Sequence, residues 1–292
     1  MSPGLLSVYQ KNKFKKKITI FLKSLSVYLA IFVFFLGVVS FISHLDYLTV
    51  NRISVEGNRA VSEIDILNIV DGYLEGRHLG MFSKQNIMFL PVSDIEDDLR
   101  RNFFRIKDIS LKKEMPDGLL ITVVERKPHA LWCIEGDSYS NIEYLVTENI
   151  IEFETSEPCW FLDSDGYAFS HAPSFSDSVY FQYFDTSLDR PKEDFHFLPT
   201  KQFKELEDFI LSIETLNLKP VFVIRQSADE FHMYLSDGSF LNFSFQHSFN
   251  DVFYWLGVLL QEKKDELIDE KGVLTVEYID LRFGNRIFYM PK

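Results

Sequence analysis

Apolar and polar positions divide this chain into three regimes. Between Ser24 and Ser43 the sequence SLSVYLAIFVFFLGVVSFIS carries no charge. At a rise of about 1.5 Å per residue, a helix of this length reaches roughly 30 Å, the thickness of a bilayer's hydrocarbon core. Only a helix satisfies the backbone N–H and C=O groups of a single segment internally in lipid. The pattern therefore predicts a transmembrane helix over 24–43. A cleaved signal peptide is the rival, but its apolar run is about 7–15 residues with a small-residue site behind it. The run here is longer, and no A-x-A-like site follows. Residues 1–23 form a basic tail, and Met1–Lys17 within it reads as disordered.

Beyond the span the periodicity changes. Val50–Glu56 alternates, with Ile53 and Val55 on one face, as a half-buried strand does. Gly57-Asn58 ends it. Ser62, three residues before Asp65, reads as the capping box of a helix whose Ile64, Leu67, Val70 and Leu74 share a face, stopped by Gly72 and Gly76. Arg77–Leu90 reads as a loop rich in Gly, Met and Phe, either folded back on its own domain or offering a contact surface. Ser93 and Glu96 make a second capping box, and Ile95, Leu99 and Phe103 stand four apart on the helix it opens. Ile109 and Leu111 lie on a strand, and Met115-Pro116-Asp117-Gly118 is a turn. Leu119, Ile121 and Val123 lead a returning strand that reads as continuing to Trp132. The predicted order over 48–132 is β-α-α-β-β.

From Cys133 onward strands and turns dominate. Asp137–Pro158 is polar and irregular, with one candidate strand at Tyr144–Phe153, and reads as an insertion or long hairpin. Trp160–Leu162 and Tyr167–Phe169 flank a D-G turn. Phe203, Leu206, Phe209, Ile210 and Ile213 recur at helical spacing within Lys201–Leu216. Val221–Ile224 is a strand, and Phe231–Leu235 with Phe240–Phe245 a hairpin around Asp237-Gly238. Asn250 reads as the cap of a helix carrying Phe253, Trp255, Leu256, Leu259 and Leu260. Val273–Phe283 and Arg286–Met290 are the last strands. The fold class is α+β: one N-terminal transmembrane helix, a β-α-α-β-β domain, then a mixed sheet with two helices over 133–292.

Charge adds an orientation. Six lysines precede the span and no acidic residue does. Positive flanks stay in the cytoplasm, so the N-terminus is expected inside and the bulk extracytoplasmic. All 43 acidic residues follow the span, leaving that part a net charge near −19. So acidic a surface argues against a nucleic-acid partner. The two cysteines, Cys133 and Cys159, both fall on the side where disulfides persist.

Catalytic chemistry finds no foothold. The seven histidines include no H-x-x-x-H pair, and no G-x-S-x-G, H-E-x-x-H or P-loop pattern occurs. Asp163-x-Asp165-Gly166 has the start of a calcium loop, but the twelfth position is Ser174 where a bidentate Glu is needed; a plain turn is the simpler reading. Asp97-Asp98 reads as the solvated face of a helix. No metal, cofactor or enzymatic activity is expected.

The stretches VNRISVEGNRAVSEIDI and VSDIEDDLRRNFFRIKDISLKKEMPDGLLITVVERKPHALW resemble a POTRA domain of the cell-division kind, and the run Pro116 to Trp132 is the most specific part. With the single span ahead of it, the D-x-x-G hairpin at 163–166 and Tyr278-Ile279-Asp280-Leu281-Arg282-Phe283 near the end, the chain resembles the FtsQ/DivIB family. The resemblance implies a non-enzymatic, bitopic septation protein of the plasma membrane at the division site. Its implied partners are FtsB/DivIC-like and FtsL-like bitopic proteins, with FtsW/FtsI-type wall synthases nearby. It also makes the strands carrying Cys133 and Cys159 neighbours, which implies a disulfide; two buried thiols are the alternative. A membrane-anchored assembly or translocation factor using POTRA is a rival, although no succession of barrel strands follows. An envelope hydrolase is a weaker one.

The last strand carries the candidate site. Ile287, Phe288, Tyr289 and Met290 are consecutive and apolar or aromatic, and Pro291 comes only after them. An edge of this kind either hides beneath another element or accepts a partner strand. The family's partner docks in the segment after D-L-R-[YF]. By position this implies Phe283, Arg286, Phe288 and Tyr289 as contacts, with Arg282 as their buttress. Alternation points either Phe288 or Tyr289 into the sheet's core.

Overall fold

The computed structural model describes residues 4–78, 82–134, 159–173, 175, 179–185 and 194–292. Asp137–Pro158, with the strand expected at Tyr144–Phe153, lies outside them. The chain forms two compact units, one ending at Glu125 and one running from Arg126 to Lys292.

The first unit opens with α1 (Gly4–Ser43), 40 residues long. The tail expected to be disordered is helical from Gly4. Nucleation is the costly step in helix formation, and once the apolar stretch is helical, Leu, Lys, Gln and Phe extend it readily. The stretch Phe21–Ser43 has a mean hydropathy of 2.6 and is the one helix among the described residues long and apolar enough to cross a membrane.

A three-stranded sheet follows, in the order β1-β5-β4, built from β1 (Arg52–Glu56), β4 (Ile106–Glu114) and β5 (Gly118–Glu125). β5 pairs in parallel with β1 and antiparallel with β4. Between β1 and β4 run α2 (Glu63–Leu74), the short pair β2 (Arg77–His78) and β3 (Phe82–Ser83), and α3 (Val92–Asn102). The expected loop thus contains a two-stranded ribbon. The core gathers Ile66 and Val70 of α2, Ile95 and Leu99 of α3, and Ile109, Ile121 and Val123 of the sheet. The buried face of α2 is centred on Ile66 rather than Ile64, which is exposed.

Neither expected capping box forms. Ser62 and Pro91 occupy the two N-cap positions, and neither side chain caps its helix. Ser93 lies inside α3, and Glu96 instead accepts the N–H of Leu111 at 2.8 Å, tying α3 to the sheet. Asp98, expected on a solvated face, accepts the hydroxyl of Tyr73 and so binds α3 to α2. Gly57 is required by geometry: its φ is +87°, and a Cβ there would meet the Val123 carbonyl oxygen at 2.2 Å.

The strand read as continuing to Trp132 is two strands. β5 stops at Glu125, and β6 (Ala130–Ile134) belongs to the second unit. There it joins β7 (Trp160–Leu162), β8 (Tyr167–His171), β9 (Phe181–Asp185), β10 (Phe195–His196), β11 (Pro220–Arg225), β12 (Glu230–Leu235), β13 (Phe240–Ser244), β14 (Val276–Phe283) and β15 (Arg286–Pro291). The ten strands form one mixed sheet in the order β10-β8-β7-β6-β9-β11-β12-β13-β14-β15. Among the described residues the unit also carries the helices α4 (Thr200–Glu214), α5 (Phe249–Glu262) and the one-turn α6 (Lys264–Leu267).

The larger core packs α4 and α5 on one face of this sheet. Phe203, Leu206, Phe209, Ile210 and Ile213 are the buried stripe of α4, and Val252, Leu256 and Leu260 that of α5. Ser248, not Asn250, is the N-cap of α5, and Trp255 is substantially exposed because the buried stripe runs through 252, 256 and 260. Alternation sends Leu131, Cys133, Phe184, Phe222 and Ile224 to the opposite face, where they form a smaller apolar cluster with Cys159.

Candidate functional site

Among the described residues β15 is the terminal strand of the ten-stranded sheet and pairs only with β14. The β14–β15 hairpin turns at Gly284-Asn285, with Gly284 at φ +66°. Its register sets Phe283 opposite Arg286, Asp280 opposite Phe288 and Ile279 opposite Tyr289. A shift between Asp280 and Phe283 breaks strict alternation. That irregularity lets Phe283 and Phe288 meet edge to face, 5.5 Å between ring centroids. Phe283 is 53 % and Phe288 55 % exposed. An edge-to-face pair of this kind is held by ring quadrupoles as well as by area.

Of the four residues implied by resemblance, three are brought together at the exposed end of the hairpin: Phe283, Arg286 and Phe288. Tyr289 is not among them. It leans with Ile287 against the larger core, and its hydroxyl donates to Glu266 Oε1 at 2.7 Å. That bond pushes the Tyr289 hydroxyl up in pKa, while Lys263 first and then Tyr289 hold the Glu266 carboxyl down. Alternation has thus turned Tyr289 inward and Phe288 outward.

Arg282 is fixed from two sides. Its Nε and Nη2 donate to the two oxygens of Asp280 at 2.9 and 2.7 Å, and Nη1 stands 3.2 Å from Glu230 Oε1. Its guanidinium carbon lies 5.6 Å from the centre of the Phe283 ring, within cation–π range. A planar fork held bidentately loses little further freedom, so the guanidinium is a rigid back wall for that ring. Sequence reading missed the acidic partners Glu230 and Glu266, which come from β12 and α6. Asp280, two residues before Arg282, was in plain view within the D-L-R run.

On the same side of the sheet as Phe288 lie His232 and Asn242, consecutive register partners of Asp280 across β12 and β13. Burial, and then the Arg282 guanidinium, hold the His232 imidazole below its ordinary pKa.

Cys133 and Cys159 are joined in a disulfide, with Cα atoms 4.2 Å apart. The D-G hairpin at 163–166 is a locally bonded turn. Asp163 Oδ1 accepts the N–H groups of Asp165 and Tyr167 at 2.9 and 3.1 Å, and Oδ2 meets Arg126. Asp165 pairs with Lys204 at 2.7 Å. This chain's own donors therefore hold both carboxylates; Ser174 lies outside the described residues. No group of three or more His, Cys, Asp or Glu residues arranged for a metal ion occurs among the described residues.

Residues 48–126 match the family model described as a POTRA domain, FtsQ-type. No curated protein matches the chain.

Proposed function

We propose, from the premise that this is an FtsQ/DivIB-like chain, that it is a non-enzymatic, single-span septation protein. It holds other bitopic division proteins through its extracytoplasmic units. The FtsQ-type POTRA domain behind a membrane-length helix supports the division-related reading. The six lysines ahead of the span support a cytoplasmic N-terminus.

The observation that carries the partner role is the edge at β15. A terminal strand offers a row of backbone N–H and C=O groups to an incoming strand. Here the edge is flanked by two exposed aromatic rings packed on each other and by a guanidinium held in place by two carboxylates. Aromatic and arginine side chains supply most of the energy in such contacts. A strand of an FtsB/DivIC-like protein added to β15 would complete the sheet and cover Phe283 and Phe288, with Arg286 at its rim. FtsL-like proteins and FtsW/FtsI-type synthases would join through that assembly.

Localisation tests the reading. A fluorescent fusion to the N-terminus of the full chain is expected to form bands at midcell in dividing cells. A uniform envelope signal through the cell cycle would count against a division role.

A further inference from the structure

The end of the membrane helix is clasped by a loop that the proposed function does not use. Asn86 is buried, and its Nδ2 donates to the carbonyls of Ser43 and Ile42 at 3.3 and 3.4 Å. The Ser83 N–H donates to Ser43 Oγ at 3.3 Å, Ile87 N–H to the Leu48 carbonyl at 2.9 Å, and Val50 N–H to the Gln85 carbonyl at 2.9 Å. Helix C-termini leave carbonyls without intrahelical partners. Here a side chain 43 residues away in sequence supplies a donor, and the segment 83–89 is thereby fixed against the last turn of α1.

The side chains beside this clasp are apolar and exposed. Tyr47 is 73 %, Met88 59 % and Phe89 41 % exposed. Scattered exposed apolar residues mean little by themselves; what matters here is height. Asn86 is bonded at the level where the span ends, and two residues cover at most about 7 Å. The polar interface outside the hydrocarbon core is about 5–8 Å deep on each side. Met88 therefore lies within or at the border of that interface, and Tyr47 stands four residues past Ser43 in the tight turn Asp46–Leu48. Tyrosine is enriched at this depth because its ring is apolar and its hydroxyl wet.

We propose that Tyr47, Met88 and Phe89 form an interfacial foot that seats the first unit on the lipid of the leaflet in which α1 ends. Its occupant is the acyl–headgroup boundary of the bilayer. The foot and the Asn86 clasp together fix the height of the unit on the membrane, so that α1 is more than a flexible tether. The inference depends on Phe21–Ser43 being a span and is independent of any partner at β15.

The test uses the full chain in lipid vesicles. Cys133 and Cys159 are bonded to each other, so without reductant a thiol-reactive fluorophore labels only an introduced cysteine. Tyr47→Cys and Met88→Cys are compared with Ile64→Cys, an equally exposed aliphatic position on α2. With lipids carrying a nitroxide near the headgroup, labels at 47 and 88 are expected to be quenched several-fold more than the label at 64. Equal quenching at all three positions, or none at 47 and 88, would overturn the proposal.

Discussion

Glu125 does more for the first unit than its place at the end of β5 suggests. Its Oε1 accepts the N–H groups of Arg59, Ala60 and Val61 at 2.6, 2.9 and 3.0 Å, and Arg105 stands 3.6 Å from Oε2. Burial pushes this carboxyl up, but the three backbone donors and Arg105 together bring its pKa below the ordinary carboxylate range. The side chain is only 10 % exposed. Glu125→Ala leaves three donors without their acceptor and is expected to destabilise the unit by about 2 kcal/mol, read as a lower denaturation midpoint at unchanged slope. His232 gives a pH dependence in the second unit. It is flanked by Gln226, Glu230, Asp280 and Arg282 and stacks on Phe240. Its pKa is lower in the folded than in the unfolded chain, so the unfolded chain binds more protons once pH falls below about 6.5. The stability from neutral His232 is complete above that pH and is lost as pH falls towards the folded value. Melting of the second unit should therefore weaken between pH 7 and pH 5, and His232→Gln should flatten that dependence.

At the scale of elements, most of the fold is legible in periodicity, and the misses share a cause. The buried stripe of α4 was readable residue by residue because Phe203, Leu206, Phe209, Ile210 and Ile213 repeat cleanly. β10 was missed because it is two residues long, and β9 because nothing local marks β6 and β11, the strands it pairs with. The second capping box misled because Glu96 found a better acceptor role on β4 than on its own helix. At the candidate site, the aromatic run was visible, but which ring faces out was not: that depends on the register shift between Asp280 and Phe283 and on Glu266 from α6. The boundary at Glu125 has a direct consequence. A fragment of residues 46–126 contains all three strands, both helices and the Glu125 lock, and is expected to melt cooperatively alone; a non-cooperative melt would contradict a self-sufficient core. In the second unit, Cys133→Ser with Cys159→Ser opens a loop closed across 26 residues. On the chain-entropy account it should cost about 3.5 kcal/mol, visible as a lower melting temperature matched by reductant treatment of the parent protein.

The chain has an apolar helix near one end and, near the other, a sheet edge that among the described residues pairs only with β14. The FtsQ-type POTRA domain lies between them in sequence. The proposed partner site, β15 with its aromatic pair, is open to direct measurement. Phe283→Ala with Phe288→Lys changes two side chains that are both more than half exposed. The change removes an edge-to-face pair worth about 0.5–1.5 kcal/mol, so the variant should melt a few degrees below the parent but with the same cooperativity. Leu211→Lys, an exposed position on α4, is the matched control. Tagged full-length chains are recovered from membranes in mild detergent, and the FtsB/DivIC-like protein that accompanies them is quantified. At least a tenfold loss of that partner is expected with the Phe283/Phe288 variant and none with the control. Undiminished recovery with a folded Phe283/Phe288 variant would contradict it.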